Sequence, residues 1–173
     1  MISIITGSYN RLNNIKRLIS NTVDANNLLE LVIVDGGSTD GTVEYVHNLN
    51  NKNIKFIDYG KRSSYPHFSN LAIQNSKFDY ICQWDDDALM INGWDEVIET
   101  LNNNIYDFHI FNWKLGNLED HSDPSWLHGN TAENNWNLED KTVGQEEAEI
   151  LTMNYGIYNK KIFKEIGMYN TRF

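Results

Sequence analysis

The 173-residue chain carries 24 acidic against 14 basic side chains, a formal charge of −10, which disfavours a polyphosphate surface and sets nucleic acid aside as a partner. With 40% apolar residues, 22% charged residues and two prolines, it is neither disordered nor linker-rich, and its length suits one domain that buries roughly two thirds of its unfolded surface without disulfides or structural metal. The N-terminus MISIITGSYN has no basic leader, and no apolar run approaches about 18 residues, so the chain reads as soluble with no membrane segment of its own.

ISIIT (2–6) is a short β-branched strand, and apolar Leu12, Ile15, Leu18 and Ile19 follow at helical spacing. The pattern repeats: ELVIVD (30–35) as a strand, GGSTDGT as a turn, then a helix carrying Val43, Val46 and Leu49. IKFID (54–58) is a third strand, and PHFSNLAIQNS places Pro66 at a helix start with Phe68, Leu71 and Ala72 apolar. The fourth strand, DYICQW (79–84), holds the only cysteine. Cys82 can form no internal disulfide, and in that apolar run it reads as a packed thiol; a reducing compartment, the cytoplasm, fits. Trp94, Val97, Ile98 and Leu101 then stand at i, i+3, i+4 and i+7, an amphipathic helix. YDFHIFNW (106–113) alternates like a strand, residues 115–150 are polar with scattered aromatics, LTMNYGIYN (151–159) resumes strand character, and KKIFKEIG closes as a short helix with Gly167 as its C-cap.

Strands and helices that alternate in this way, with the strands apolar almost throughout, imply an α/β fold: a mainly parallel sheet with helices on both faces. Ligands of such sheets bind beyond the carboxyl ends of the strands. The three unusual clusters, TGSYN, DGGSTDGT and DDD, all fall at those ends.

DGGSTDGT is not a phosphate-binding P-loop: Gly36 and Gly41 have the spacing, but Thr42 stands where lysine is required. An aspartyl phosphatase would need an acid two places before Asp40, where Ser38 stands. What remains is a tight turn into a helix capped by Ser38 or Asp40, with Asp35 at the strand tip. Asp85, Asp86 and Asp87 pose a different problem, because two carboxylates about 4 Å apart repel by roughly 4 kcal/mol at an effective dielectric near 20. A hard divalent cation, Mg²⁺ or Mn²⁺, bound by one or two carboxylates and substrate phosphate oxygens would offset that crowding, whereas a solvated acidic turn is the bland alternative.

SIITGSYNR, LVIVDGGSTDGT and FSNLAIQNSKFDYICQWDDDALM, in this order and spacing, resemble the nucleotide-sugar-binding half of the GT-A (Rossmann-like) glycosyltransferases, most closely the inverting family 2 group. The resemblance covers residues 2–100 and resumes at YGIYNKKIFKEIGMYNTRF. It implies one GT-A domain over 1–173, with a nucleotide-sugar-binding half (1–100) and an acceptor-facing half (101–173) incomplete at its C-terminus. It further implies metal-dependent transfer of a sugar from a UDP-sugar to a hydroxyl acceptor with inversion, the acceptor being a glycan, a lipid-linked molecule or a protein. Tyr9 then stacks on the uracil, Thr6 contacts it through its backbone or hydroxyl, and Asp35 accepts the uracil N–H. Asp85, Asp86 and Asp87 match the DXD motif, with Asp86 near the ribose and with Asp87, joined by Asp85, on the metal. Asn70 matches the second residue of an Arg-Asn pair on the donor, but Ser69 replaces the arginine, so phosphate contact passes to Lys61 or Arg62 or is weaker.

In inverting relatives a carboxylate after the segment matching GMYNTRF removes the acceptor proton, and this chain ends at Phe173. Three readings of the catalytic base stay open: truncation, which is favoured; another acid such as Asp123 or Glu146; or a catalytically incomplete nucleotide-sugar or glycan-binding module. Glu146, Glu147 and Glu149 look more like a charged helix start than a base. Trp84 and Trp94 are assigned to the core, His67 to a loop surface, and Trp113, Trp126 and Trp136 to possible stacking on an acceptor sugar. His121 and His128 lack a third partner for a metal site. A nucleotidyltransferase of related architecture would want a glycine-rich basic loop after the first strand, where SYNR stands.

Overall fold

The computed structural model describes residues 1–24, 26, 28–88, 95, 98, 99, 101 and 156–172, and the backbone of 108–110. The described strands are β1 (Ile2–Ser8), β2 (Leu29–Asp35), β3 (Ile54–Asp58), β4 (Tyr80–Gln83), β5 (Phe108–Ile110) and β6 (Gly156–Asn159). They form one sheet in the order β3-β2-β1-β4-β6-β5. The first four are mutually parallel, as the alternation of strands and helices predicts, while β6 runs antiparallel between β4 and β5.

Helices α1 (Leu12–Asn21), α2 (Thr42–Leu49), α3 (Tyr65–Asn75) and α4 (Phe163–Ile166) divide between the two faces. The strand period of two sorts the apolar side chains. Ile4, Leu31 and Ile33 pack with Ile15 and Ile19 of α1 and Val46 of α2, whereas Ile5, Val32 and Val34 pack with Ala72 and Ile73 of α3 and Phe163 of α4. Burying a side chain the size of these valines, leucines and isoleucines contributes roughly 1.5–3 kcal/mol, so both faces are firmly covered. Cys82 lies in the first core, and burial pushes its thiol well above the ordinary range, consistent with a packed rather than a reactive cysteine. Pro66 stands in the first turn of α3, and Gly167, at φ 82°, closes α4 with its N–H on the Phe163 carbonyl, both as the sequence suggests.

Of the helix expected around Trp94, Ile98 and Leu101 pack partly buried against the first core, while Trp94 and Val97 lie outside the described residues. So do Trp113, His121, Asp123, Trp126, His128, Trp136, Glu146, Glu147 and Glu149. No described helix is long and apolar enough to cross a membrane.

The strand order positions the site. The chain leaves β1 towards β2 and β3 on one side and returns to β4 on the other, so a topological switch point lies beyond the carboxyl ends of β1 and β4. Loops more than seventy residues apart in sequence meet there.

Candidate active site

The loops after β1 and β2 are laced together. Gly36 N–H donates to the Ser8 carbonyl at 2.8 Å, Asn10 N–H to Ser38 Oγ at 2.8 Å, and Thr39 N–H to Asn10 Oδ1 at 2.7 Å. Asn10 sits at φ 54°, a left-handed conformation that asparagine tolerates better than most residues. Asp35 organises the turn behind it: Oδ1 accepts from Gly37 N–H at 2.9 Å and Ser38 N–H at 2.7 Å, and Oδ2 accepts from Ser38 Oγ at 2.6 Å. Gly37 is required by geometry as well as by its φ of 87°, since a Cβ there would meet the Gly60 carbonyl oxygen at 2.8 Å. Asp40 then serves two helices, accepting from Leu12 N–H at the start of α1 at 2.9 Å and from the N–H and hydroxyl of Thr42 at the start of α2 at 3.1 and 2.6 Å. Burial pushes its carboxyl upward, but the bonds from Thr42 and Leu12 prevail and hold it below the ordinary carboxylate value.

Beyond these loops opens a cleft of about 340 Å³, and Tyr9, Asp35, Asp85, Asp86 and Asp87 all line it. The aromatic ring, the strand-tip acid and the acidic triplet thus share one cavity. Lys61 and Arg62, from the loop between β3 and α3, line it too, and both lie over rings: Arg62 4.9 Å from the centre of Tyr9, Lys61 5.5 Å from that of Tyr59. Tyr65 and Phe68 close the wall from α3.

The triplet is fixed by its neighbour. Trp84 N–H continues the ladder to the Ile5 carbonyl at 3.1 Å, its indole is buried in the first core as expected, and its Nε1–H donates to the Ala88 carbonyl at 3.1 Å, closing the turn through the three aspartates. Asp86 is turned inward, its side chain 10% exposed, and Asp87 outward at 47%. Arg11, from the loop after β1, sets Nη1 3.1 Å from Asp87 Oδ2 and 3.7 Å from Asp86 Oδ1. Burial above all, with the charges of Asp87 and Asp85 adding to it, raises Asp86 to about 6, against the pull of Arg11.

The donor set is suited to a hard cation: carboxylate oxygens at the mouth of an open cleft, Asp87 exposed and Asp85 and Asp86 part-buried. Among the described residues no group of three or more His, Cys, Asp or Glu could hold an ion by itself. A Mg²⁺ or Mn²⁺ site completed by phosphate oxygens and water needs only one or two carboxylates, which these residues supply.

Two residues expected at the donor do not line the cleft. Thr6 is 1% exposed within β1, its hydroxyl turned to the Gly7 carbonyl at 3.4 Å. Asn70 spends both ends of its amide on one residue: Nδ2 donates to the Tyr169 carbonyl at 2.8 Å and Oδ1 accepts from Tyr169 N–H at 3.0 Å, so it clamps the segment after α4 to α3. Ser69, in place of the family's arginine, is fully buried. Conversely, sequence reasoning passed over Arg11, Tyr65 and Phe68. The R of SYNR was the one available signal, a cation directly after a strand end in an acidic chain.

Three comparisons bear on this site. No curated protein matches the sequence. Among solved structures, a mannosyltransferase, PcManGT from Pyrobaculum calidifontis in complex with GDP-Man and Mn²⁺, is 17% identical with a TM-score of 0.65 over 99% of this chain and 48% of its own. S. aureus TarS 1–349 in complex with UDP is 18% identical with a TM-score of 0.66 over 97% and 49%, and its complex with UDP-GlcNAc is 20% identical with a TM-score of 0.64 over 97% and 48%. At such identities the likeness establishes the fold, which is GT-A, and the chain spans about half the length of these proteins. A family model described as glycosyl transferase family 2 matches residues 3–167. Matched over nearly its whole length, on a sheet that brings the three family motifs to one rim, the chain belongs to glycosyl transferase family 2.

Proposed function

We propose that this chain forms the donor-binding part of a glycosyltransferase that moves a sugar from a UDP-sugar to a hydroxyl acceptor, with inversion and with the help of Mg²⁺ or Mn²⁺. The observation that carries the reading is the convergence of Tyr9, Asp35 and Asp85–Asp87, from three separate loops, on a single cleft. Family membership and the nucleotide-sugar complexes of the GT-A neighbours agree with it.

In this reading Tyr9, 41% exposed, offers its ring to the base, and Asp35, which lines the cleft although it is fully buried, has one lone pair left on Oδ2 for a ring N–H. A carboxylate has about four acceptor sites, and three of Asp35's are taken within its own turn. Uracil and guanine both present a ring N–H, whereas the corresponding cytosine nitrogen is an acceptor and would face the carboxylate lone pair to lone pair. Asp87, with Asp85, would hold the cation and Asp86 would face the ribose. When bound, the metal neutralises charge developing on the departing diphosphate. Lys61 and Arg62 supply positive charge to the phosphates in place of the arginine missing at Ser69. Thr6 and Asn70 enter as supports of β1 and α3 rather than as contacts to the donor. The acceptor, whether glycan, lipid-linked molecule or protein, and the proton-accepting base belong to the half of the site that residues 101–173 would face.

A thermal-shift panel of UDP-, GDP- and CDP-sugars with and without Mn²⁺ tests the reading, since a ligand of the native state raises its apparent stability. UDP-sugars should stabilise most and only with metal, CDP-sugars least. Equal shifts for all three, or none with any, would reject it.

A further inference from the structure

Among the described residues three cations line the cleft, and they are not equivalent. Lys61 and Arg62 rest over tyrosine rings, but Arg11 is seated on the acidic triplet, with one guanidinium nitrogen facing both Asp87 and Asp86. The contact joins residues 76 positions apart, across the switch point between β1 and β4, so the fold and not local sequence creates it. An inward-turned, crowded carboxylate needs a neighbouring positive charge, and here the chain provides one itself.

We propose that Arg11 is the resident counter-ion of the triplet, holding the place of the divalent cation, and that cation and guanidinium exclude each other. The inference rests on the reading of the cleft as a metal and nucleotide site. A guanidinium and a divalent ion cannot share Asp87 Oδ2 without strong repulsion, so a metal ion that takes this oxygen must release Arg11. The freed side chain stays rooted beside α1 in a cleft whose expected new occupant is a diphosphate, and a planar fork of donors suits phosphate oxygens. Arg11 thereby passes from carboxylate to diphosphate, doing for the donor what Ser69 cannot. Metal and nucleotide then bind cooperatively, each removing a competitor of the other, and the coupling is reciprocal.

The test uses Mn²⁺ alone, titrated by electron paramagnetic resonance into the wild type, Arg11→Gln and Arg62→Gln. Loss of the competing guanidinium should tighten Mn²⁺ about fivefold in Arg11→Gln, the scale of one exposed ion pair. Arg62→Gln removes the same charge from the same cleft without touching the triplet, and should change Mn²⁺ affinity by less than about twofold, the remainder of a screened, more distant charge. With Mn²⁺ saturating, calorimetry should show UDP bound about tenfold more weakly by Arg11→Gln, the loss of one charge-assisted contact. Unchanged or weaker Mn²⁺ binding by Arg11→Gln, or an equal effect of Arg62→Gln, overturns the counter-ion; undiminished UDP affinity overturns the hand-over. Should Arg11→Gln not fold, the wild-type side-chain Nε–H resonance of Arg11, titrated with Mg²⁺ alone, decides: it must shift, and a static resonance at saturating Mg²⁺ rejects the exclusion. The failures are separable. Tighter Mn²⁺ with no UDP binding by any form would remove the nucleotide reading and leave the exchange standing, whereas metal-dependent UDP binding with unaltered Mn²⁺ affinity in Arg11→Gln would do the reverse.

Discussion

The turn after β2 and the turn after β4 both bring clustered aspartates to the same rim, yet they dispose of their charge in opposite ways. Asp35 and Asp40 each accept three hydrogen bonds from their own neighbourhood, so their charge builds the loops that hold them. Asp86 and Asp87 share a half-exposed arginine, and Asp86 is buried enough for its carboxyl to rise to about 6. An acid whose lone pairs are mostly consumed internally stabilises the protein first, even where, as at Asp35, one is left for a ligand, whereas an acid held against its own preference waits for something from outside. Substitutions in the first turn should therefore cost stability, whereas substitutions in the second should spare or raise it and register in ligand binding.

The largest effect should come from Asp35→Ala, which strands two N–H groups and a hydroxyl in a turn already tightened by Gly37. Hydrogen bonds to a charged group are worth roughly 1.5–3 kcal/mol each, and with some relaxation the loss should be about 4 kcal/mol in urea unfolding. Asp87→Ala should behave inversely: less than about 0.5 kcal/mol of stability, since its ion pair is exposed, but at least about a hundredfold in metal-dependent UDP affinity by calorimetry. A stability loss of similar size in both variants would erase the contrast.

Asp86→Asn probes the second turn from the other side. The folded carboxyl titrates near 6 against an ordinary 3.8, so between those values the folded chain holds more protons than the unfolded one and stability falls as pH rises. Removing the ionisable group should therefore stabilise the metal-free protein by about 2 kcal/mol above pH 6.5, with the gain vanishing towards pH 4. Urea midpoints at pH 4 and 7.5, in chelator, measure it. A gain independent of pH would mean that the charge of Asp86 is not what burial opposes.

Asn70→Ala extends the contrast to a neutral residue. Both of its bonds go to the Tyr169 backbone, so the variant should lose about 2 kcal/mol, roughly 1 kcal/mol per neutral bond, while UDP affinity changes less than about twofold. A selective loss of UDP affinity would restore Asn70 to the donor site.

How much of this was legible in the sequence follows from the range of each interaction. The strands ISIIT and ELVIVD declare themselves because burial on both faces makes them apolar almost throughout, IKFID at the sheet edge does so by its three part-buried apolar residues, and their alternation with helices already places TGSYN, DGGSTDGT and DDD at one edge. What periodicity cannot convey is direction and long-range partnership. Nothing in GIYN says that β6 enters the sheet antiparallel beside β4, because the period of two is the same either way. Asn70 finds its partner 99 residues away and Arg11 its own at 76, contacts that exist only once the sheet order is set. Resemblance assigned Asn70 to the donor, whereas in the structure both ends of its amide bond the Tyr169 backbone, a partnership that no motif announces.

The smallest effect is also the one that separates the two turns by sign. Asp40 is solvent-exposed, and although burial pushes its carboxyl upward, its bonds to Thr42 and Leu12 hold it below the ordinary value. Its contribution should accordingly be present above pH 4 and disappear as pH falls through the lowered folded value, the reverse of Asp86. Asp40→Ala removes the acceptor at the start of two helices at once, yet water can solvate the freed N–H groups, so the cost at pH 7 should be about 1 kcal/mol, the usual scale of a helix cap. In acid, wild type and Asp40→Ala should converge from a stable wild type, and wild type and Asp86→Asn should converge from a more stable variant. Measured on the same urea series, two pH dependences of the same sign would show that the rim treats its aspartates alike.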